Sequence, residues 1–221
     1  MNTQRQENFG FEKQEELSTI LNKSIKVTPS DRELEWDKSK VLSSKTDIKG
    51  NILYANEAFI DVCGYDDYEL INQPHSLLRH PDMPKVIFKL LWEDLQNSNN
   101  YVAIFKNMSK TGRFYWVVNE IKCAKDSVGN TCYTGQQKSI SSEIVTNFIE
   151  PLYKKLLQIE QASGLQASEN YLIGFLEEKN KTFMQYISSI ASINIQEEYE
   201  SAVGNSKSKK GFFSGFFAVK K

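Results

Sequence analysis

The sequence predicts an α+β fold: about five antiparallel strands with helices gathered on one face, followed by C-terminal amphipathic helices. Three observations lead there. Two short apolar runs, short helical patterns, one long helical stripe and three strand-like runs follow one another in that order. The turn Asp47-Ile48-Lys49-Gly50-Asn51 returns in kind at Asp126-Ser127-Val128-Gly129-Asn130, marking two hairpins whose glycines supply the positive φ such turns need. The longest stripe, in DMPKVIFKLLWEDLQN, has the helical period and sits between strand-like segments, so a helix must lie across a sheet.

Four stretches divide the 221 residues. Residues 1–35 are a polar N-terminal extension, partly helical or flexible, broken at Thr28-Pro29-Ser30 because proline disfavours helix in the residue before it. Residues 36–142 are the folded core. There KVLSSKTDIKGNILYAN gives the first hairpin. Ala58, Phe59, Val62 and Cys63 share one helical face that Gly64 terminates. Val86, Ile87, Leu90, Leu91, Asp94 and Leu95 form the mostly apolar stripe of the long helix, with Pro84 in its first turn. YVAIFKNMS, RFYWVVNEIKCA and TCYTGQQKSIS are strands. Residues 143–200 hold two helices that turn near Gly164, for signalling or dimerisation; Lys179 and Asn180 interrupt the stripe of the second. Residues 201–221 are a basic tail with four phenylalanines between lysine clusters, a composition that suits a membrane interface or a groove on a partner.

Composition excludes several functions. A net charge of −1 argues against general nucleic-acid binding, which needs a basic footprint. No run of about 18 apolar residues is present to span a bilayer, and MNTQRQENFG lacks a secretory layout. Three scattered cysteines make neither a disulfide framework nor a zinc site, although Cys123 and Cys132 flank the last hairpin closely enough to raise a redox pair. A cytoplasmic protein is expected, at most touching the inner face of the membrane through its tail. No nucleophile elbow, Walker loop or paired metal-ligand motif is present, so no enzyme is predicted.

TDIKGNILYANEAFIDVCGYDDYEL, then QPHSLLRHPDMPK, then a helix carrying Phe88 and Trp92, then FKNMSKTGRFYWV, together resemble the FAD-binding PAS domain of the bacterial aerotaxis receptor (Aer) type of redox sensor. FIEPLYKKL resembles the segment after that domain. The resemblance covers residues 36–157 and is most specific at RHPDMP, residues 79–84. It implies a PAS fold, FAD held noncovalently, and a redox or oxygen signal passed to a partner: a membrane-bound chemotaxis-type transducer or another signalling protein, with a homodimer also in view. Light-sensing PAS relatives carry an Asn-Cys-Arg motif ahead of the long helix; here that region reads LLRHPDM, so a cysteine adduct is not expected.

The residues themselves suit a flavin, a flat ring system with a polar edge. The Asn107 amide offers donor and acceptor to that edge. Trp92 and Trp116 can wall the ring or the adenine, and the resemblance adds Phe88. Arg79 can fork onto the pyrophosphate, His80 can donate beside it, and Asp82 can hold either one or cap the long helix. Asn56 is open between helix cap and pocket contact, and His75 reads as a loop residue. Too few residues follow position 150 for a kinase or cyclase module, so output is expected through a partner. The rival reading is a cofactor-free PAS module for protein interaction or dimerisation, in which RHPDMP only caps a helix and Trp92 is core.

Overall fold

The computed structural model describes residues 27–97 and 100–191. The start of the N-terminal extension and the whole basic tail lie outside the described residues. Strands β1 (Leu42–Thr46) and β2 (Ile52–Ala55) form the first hairpin. Asp47 builds the turn between them. Its Oδ1 accepts the N–H of Lys49 and of Asn51, each at 2.8 Å, and its Oδ2 accepts the Asn51 amide at 2.8 Å. Gly50 stands at φ 84°.

Asn56 opens helix α1 (Glu57–Cys63) as its N-cap, and Gly64 closes it in the left-handed conformation at φ 73°. A short helix α2 (Asp67–Leu70) and a 3₁₀ turn (His75–Leu78) lead to α3 (Lys85–Gln96). Then come β3 (Tyr101–Met108), β4 (Phe114–Lys125) and β5 (Thr131–Ser139). The β4–β5 turn repeats the first one bond for bond: Asp126 accepts from Val128, Asn130 and the Asn130 amide at 3.0, 2.8 and 3.2 Å.

The five strands form one antiparallel sheet in the order β2-β1-β5-β4-β3. The PAS-type α+β architecture expected from the sequence is present. Both edges are covered, which removes the open template that unpaired strands offer other chains. Residues 72–73 pair with Ile52 through bonds of 2.8 Å in both directions. Along β3, the Ile104 carbonyl accepts the Tyr153 hydroxyl at 2.8 Å, the Lys106 carbonyl accepts the His80 N–H at 3.3 Å, and the Lys106 N–H meets the Met83 sulfur at 3.2 Å. Residues 30–34 run beside the start of β4, with Leu34 donating to Phe114 at 2.7 Å.

After β5 a helical turn (Ser142–Ile144) widens into a π segment (Val145–Ile149) and continues as α4 (Glu150–Ser163). Pro151 accounts for the widening. It has no N–H for the carbonyl four residues back, and its ring crowds that carbonyl. Gly164 at φ 83° turns the chain into α5 (Leu165–Glu178). The break at Lys179 and Asn180 is a true turn, with Asn180 left-handed at φ 51°, and residues 183–191 are a third helix. Its Phe183 stacks on Tyr101 of β3 with ring centroids 6.1 Å apart. One continuous core joins the sheet, α1, α3 and these C-terminal helices.

Candidate functional site

A cavity of about 260 Å³ lies between the sheet and α3. Helix α3 lines it with Phe88, Leu91, Trp92 and Leu95, an i, i+3, i+4, i+7 face that shares Leu91 and Leu95 with the stripe read from the sequence. The sheet lines it with alternate residues, as strand geometry demands: Ser44 and Thr46 on β1, Phe105 and Asn107 on β3, Asn119 and Ile121 on β4, Tyr133, Gly135 and Gln137 on β5. Lys49 and Gly50 of the first turn, with Pro74, His75, Ser76 and Arg79 of the 3₁₀ segment, complete the wall.

Two glycines leave room there. A Cβ on Gly50 would stand 3.1 Å from Cη2 of Trp92, so that indole rests on the turn itself. A Cβ on Gly135 would stand 3.2 Å from the side-chain Oδ1 of Asn119. Trp92 also meets Tyr133 edge-on at 6.1 Å. The Arg79 guanidinium carbon lies 3.5 Å from the centre of the Phe88 ring.

The polar side of the cavity is a row of three amides on three adjacent strands. Asn107, Asn119 and Gln137 are all buried. Asn107 donates to the Gln137 carbonyl at 3.2 Å. The Asn119 Oδ1, the Gln137 Nε2 and the Arg79 Nε are buried and have no hydrogen-bond partner among the described residues. Such groups are costly in a protein interior unless something satisfies them. His75 borders the row, with Nε2 3.3 Å from Ser44 Oγ and its ring edge-on to Phe59. Burial, reinforced by the charge of Arg79, pushes its pKa down to about 4, so the imidazole is neutral. Two cations, Lys49 and Arg79, and no carboxylate are among the lining residues.

Four of the eight site residues named from sequence meet in this cavity: Arg79, Phe88, Trp92 and Asn107. The other four do not, and strand parity explains two of them, His80 and Trp116. Residues 79–80 run antiparallel beside β3, with Arg79 bridged to Asn107. Arg79 therefore faces inward with Asn107, and His80 faces outward with Lys106. Trp116 pairs with Lys106 in the β3–β4 register, so it shares that outer face, where it packs on Tyr153 of α4 at 6.3 Å. His80 accepts the Asp82 N–H through Nδ1 at 3.1 Å, and its pKa is held down by burial and then by Lys106.

Asp82 is bound by the Lys106 ammonium at 2.6 Å. Burial pushes its carboxyl up, but Lys106 outweighs this and holds it below the usual range. It does not cap α3, which begins three residues later at Lys85. Asn56 is fully occupied as a joint: its Oδ1 accepts from Phe59 and Ser43, and its Nδ2 donates to the Val41 carbonyl at 2.9 Å.

Asn119, Gln137, Gly135, Tyr133 and His75 escaped sequence reasoning. A polar residue inside an apolar run, as in WVVNEI, was the available signal for Asn119. Using it required the register that pairs Asn119 with Gln137. None of the three cysteines lines the cavity. Cys123 pairs with Tyr133 and Cys132 with Ala124, so neighbouring pairs set the two thiols on opposite faces of the hairpin, which removes the redox pair.

The PAS fold family matches residues 52–135. Over 116 residues the chain is 37% identical to the aerotaxis receptor of Escherichia coli (strain K12), covering 52% of this chain and 22% of that receptor. It is 30% identical over 106 residues to the nitrogen fixation regulatory protein of Klebsiella oxytoca, covering 48% of this chain and 21% of that regulator. The matched stretch thus spans about a fifth of these relatives' length. Among solved structures, the light state of the blue-light photoreceptor Aureochrome1 LOV aligns with a TM-score of 0.43 at 22% identity, over 55% of this chain and 91% of that one. No helix of the described residues is long and apolar enough to cross a membrane. Residues 52–135 thus match the PAS fold, and the relatives that share this stretch are named as a receptor and a regulatory protein.

Proposed function

We propose that this chain is a redox sensor whose PAS domain holds FAD noncovalently in the cavity under α3 and reports its redox state, or oxygen, to a partner transducer in energy taxis. One observation carries the reading: the amide row of Asn107, Asn119 and Gln137, with a donor and an acceptor left unpaired on the cavity wall. An imide edge of alternating carbonyls and N–H is the chemistry such a row can satisfy. The remaining wall is aromatic and aliphatic, as a flat heteroaromatic ring requires. The volume falls just below the range of about 300–1,000 Å³ usual for ligand pockets. It suits the ring system, and leaves the nucleotide half to the mouth, where Lys49 and Ser76 are exposed.

When bound, the flavin supplies reversible electron transfer. The protein's own part is to bind, orient and enclose. Asn119 and Gln137 fix the edge of the ring, while Trp92, Phe88 and Phe105 exclude water from its face. Arg79 and Lys49 favour an anionic ligand. Neutral His75 adds a polar neighbour without adding charge. The matches to a receptor and to a regulatory protein agree with output through a partner.

The test is the absorbance spectrum of the purified full chain, with any released cofactor identified by chromatography. Flavin bands and FAD are expected, with affinity lowered at least about tenfold by Asn119→Leu, a loss in line with about 1.4 kcal/mol for one bidentate or buried hydrogen-bonded contact. A colourless protein that also refuses added FAD would replace this reading with a cofactor-free interaction module, and a Soret band would replace flavin with haem.

A further inference from the structure

Helix α3 carries the cavity wall on one side and meets the C-terminal hairpin on the other. Its first N–H groups have no partner within the helix, and Pro84 before them has no side-chain oxygen to offer. Glu160, in the third turn of α4, fills that role from 75 residues away. Its Oε2 accepts the Lys85 N–H and its Oε1 accepts the Val86 N–H, each at 2.9 Å. A carboxylate at a helix N-terminus is also favoured by the helix dipole. A second tie lies one turn on, where Lys89 pairs with Glu169 of α5. Phe88, in the same turn as these contacts, faces the cavity.

We infer that Glu160 is a joint between the cavity and the α4–α5 hairpin: its carboxylate locks the hairpin onto α3, and loss of that cap releases the hairpin as a unit for a partner. The nature of the stimulus rests on the cofactor reading above; the joint itself does not. A shift of α3 moves both N–H groups together, because they belong to one rigid turn. Two short hydrogen bonds to one carboxylate cannot both follow a rotation of that turn, so a small movement at Phe88 or Trp92 becomes a bound-or-free choice at Glu160. Release would bare Leu152, Leu156, Leu172 and Leu176, all buried in the docked state.

Hydrogen–deuterium exchange on the full chain, read by peptide mass spectrometry, tests this. In Glu160→Ala the amides of Lys85 and Val86 and those across α4 and α5 are expected to exchange about five- to tenfold faster, the factor that losing a helix cap implies. Glu160→Gln, which keeps the volume and one acceptor, should fall between. Trp92→Phe, a change on the cavity wall, should speed hairpin exchange in the native background and add little in the Glu160→Ala background. Unchanged hairpin protection in Glu160→Ala would overturn the inference. So would a Trp92→Phe effect of equal size in both backgrounds. No arm uses a flavin, so a colourless protein would defeat the cofactor reading alone, and these comparisons would still decide the joint.

Discussion

His75 has the ordinary imidazole value of 6.5 in an unfolded chain and is pushed to about 4 in the fold, first by burial and then by Arg79. Between those two values the unfolded chain binds a proton that the folded one refuses. Stability from this group is therefore complete above pH 6.5 and is lost as pH falls through the window towards 4. His80, also lowered by burial, adds in the same direction. The lowered carboxylates Asp47, Glu69 and Asp126 act further down, because their folded values lie below the ordinary 3.8 to 4.5. Urea unfolding of wild type and His75→Gln at pH 7 and at pH 4.5 separates these terms. Wild type should lose about 2.5 kcal/mol more than the variant between the two pH values, the worth of nearly two pH units on one group. Parallel losses would show that His75 is solvated in the fold. This residue was invisible in the sequence because its role depends on Ser44 and Phe59, each from a different element. Arg79, Asn107 and Trp92, by contrast, were legible from their chemistry, and Phe88 from the family resemblance.

The two Asp-x-x-Gly-Asn turns are a built-in comparison at the scale of elements. Gly50 and Gly129 stand at φ 84° and 89° inside the same aspartate-centred turn bonds, with the Gly50 carbonyl also accepting the His75 N–H at 2.9 Å, but nothing lies within 4 Å of a Cβ placed on Gly129, whereas Trp92 touches one placed on Gly50. Gly129→Ala should cost about 1 kcal/mol, the price of a left-handed L-residue, and leave tryptophan emission unchanged. Gly50→Ala should cost more and shift that emission, because the Trp92 indole must move off the turn. Equal losses with identical spectra would mean that Trp92 does not rest on the first turn. The turns were readable because their chemistry is local: an aspartate, a glycine and an asparagine within five residues. The strands were readable as strands, but their facing was not. Trp116 and Asn119 differ by an odd number of positions, so only one of them can face the cavity, and the β3–β4 register decides which. The start of α3 shows the same limit. Of the roles the sequence left open for Asp82, the cap is not taken, because the carboxylate at that helix end comes from another helix.

For the whole molecule, the C-terminal helices are cover for the sheet. Tyr153 is buried, gives its hydroxyl to the outer carbonyl of β3, and packs its ring on Trp116 across the outer face of the sheet. Ile149, Leu152 and Leu156 are buried beside it in the shared core. A chain ending after Ile140 would uncover that face and leave the Ile104 carbonyl on an open edge strand, the arrangement that invites edge-to-edge pairing. Such a truncated chain should therefore self-associate with rising concentration in light scattering and bind a hydrophobic dye that the intact chain ignores. Tyr153→Phe supplies the finer test. It removes one hydroxyl and keeps the ring, so it should cost about 1–3 kcal/mol, the penalty of a buried carbonyl left without its donor. The association state should stay as it is in the intact chain. A truncated chain that melts as sharply as the intact one, with no added association, would make the hairpin an appendage whose docking contributes nothing to the sheet. The Glu160 cap would then hold a helix in place without protecting anything beneath it.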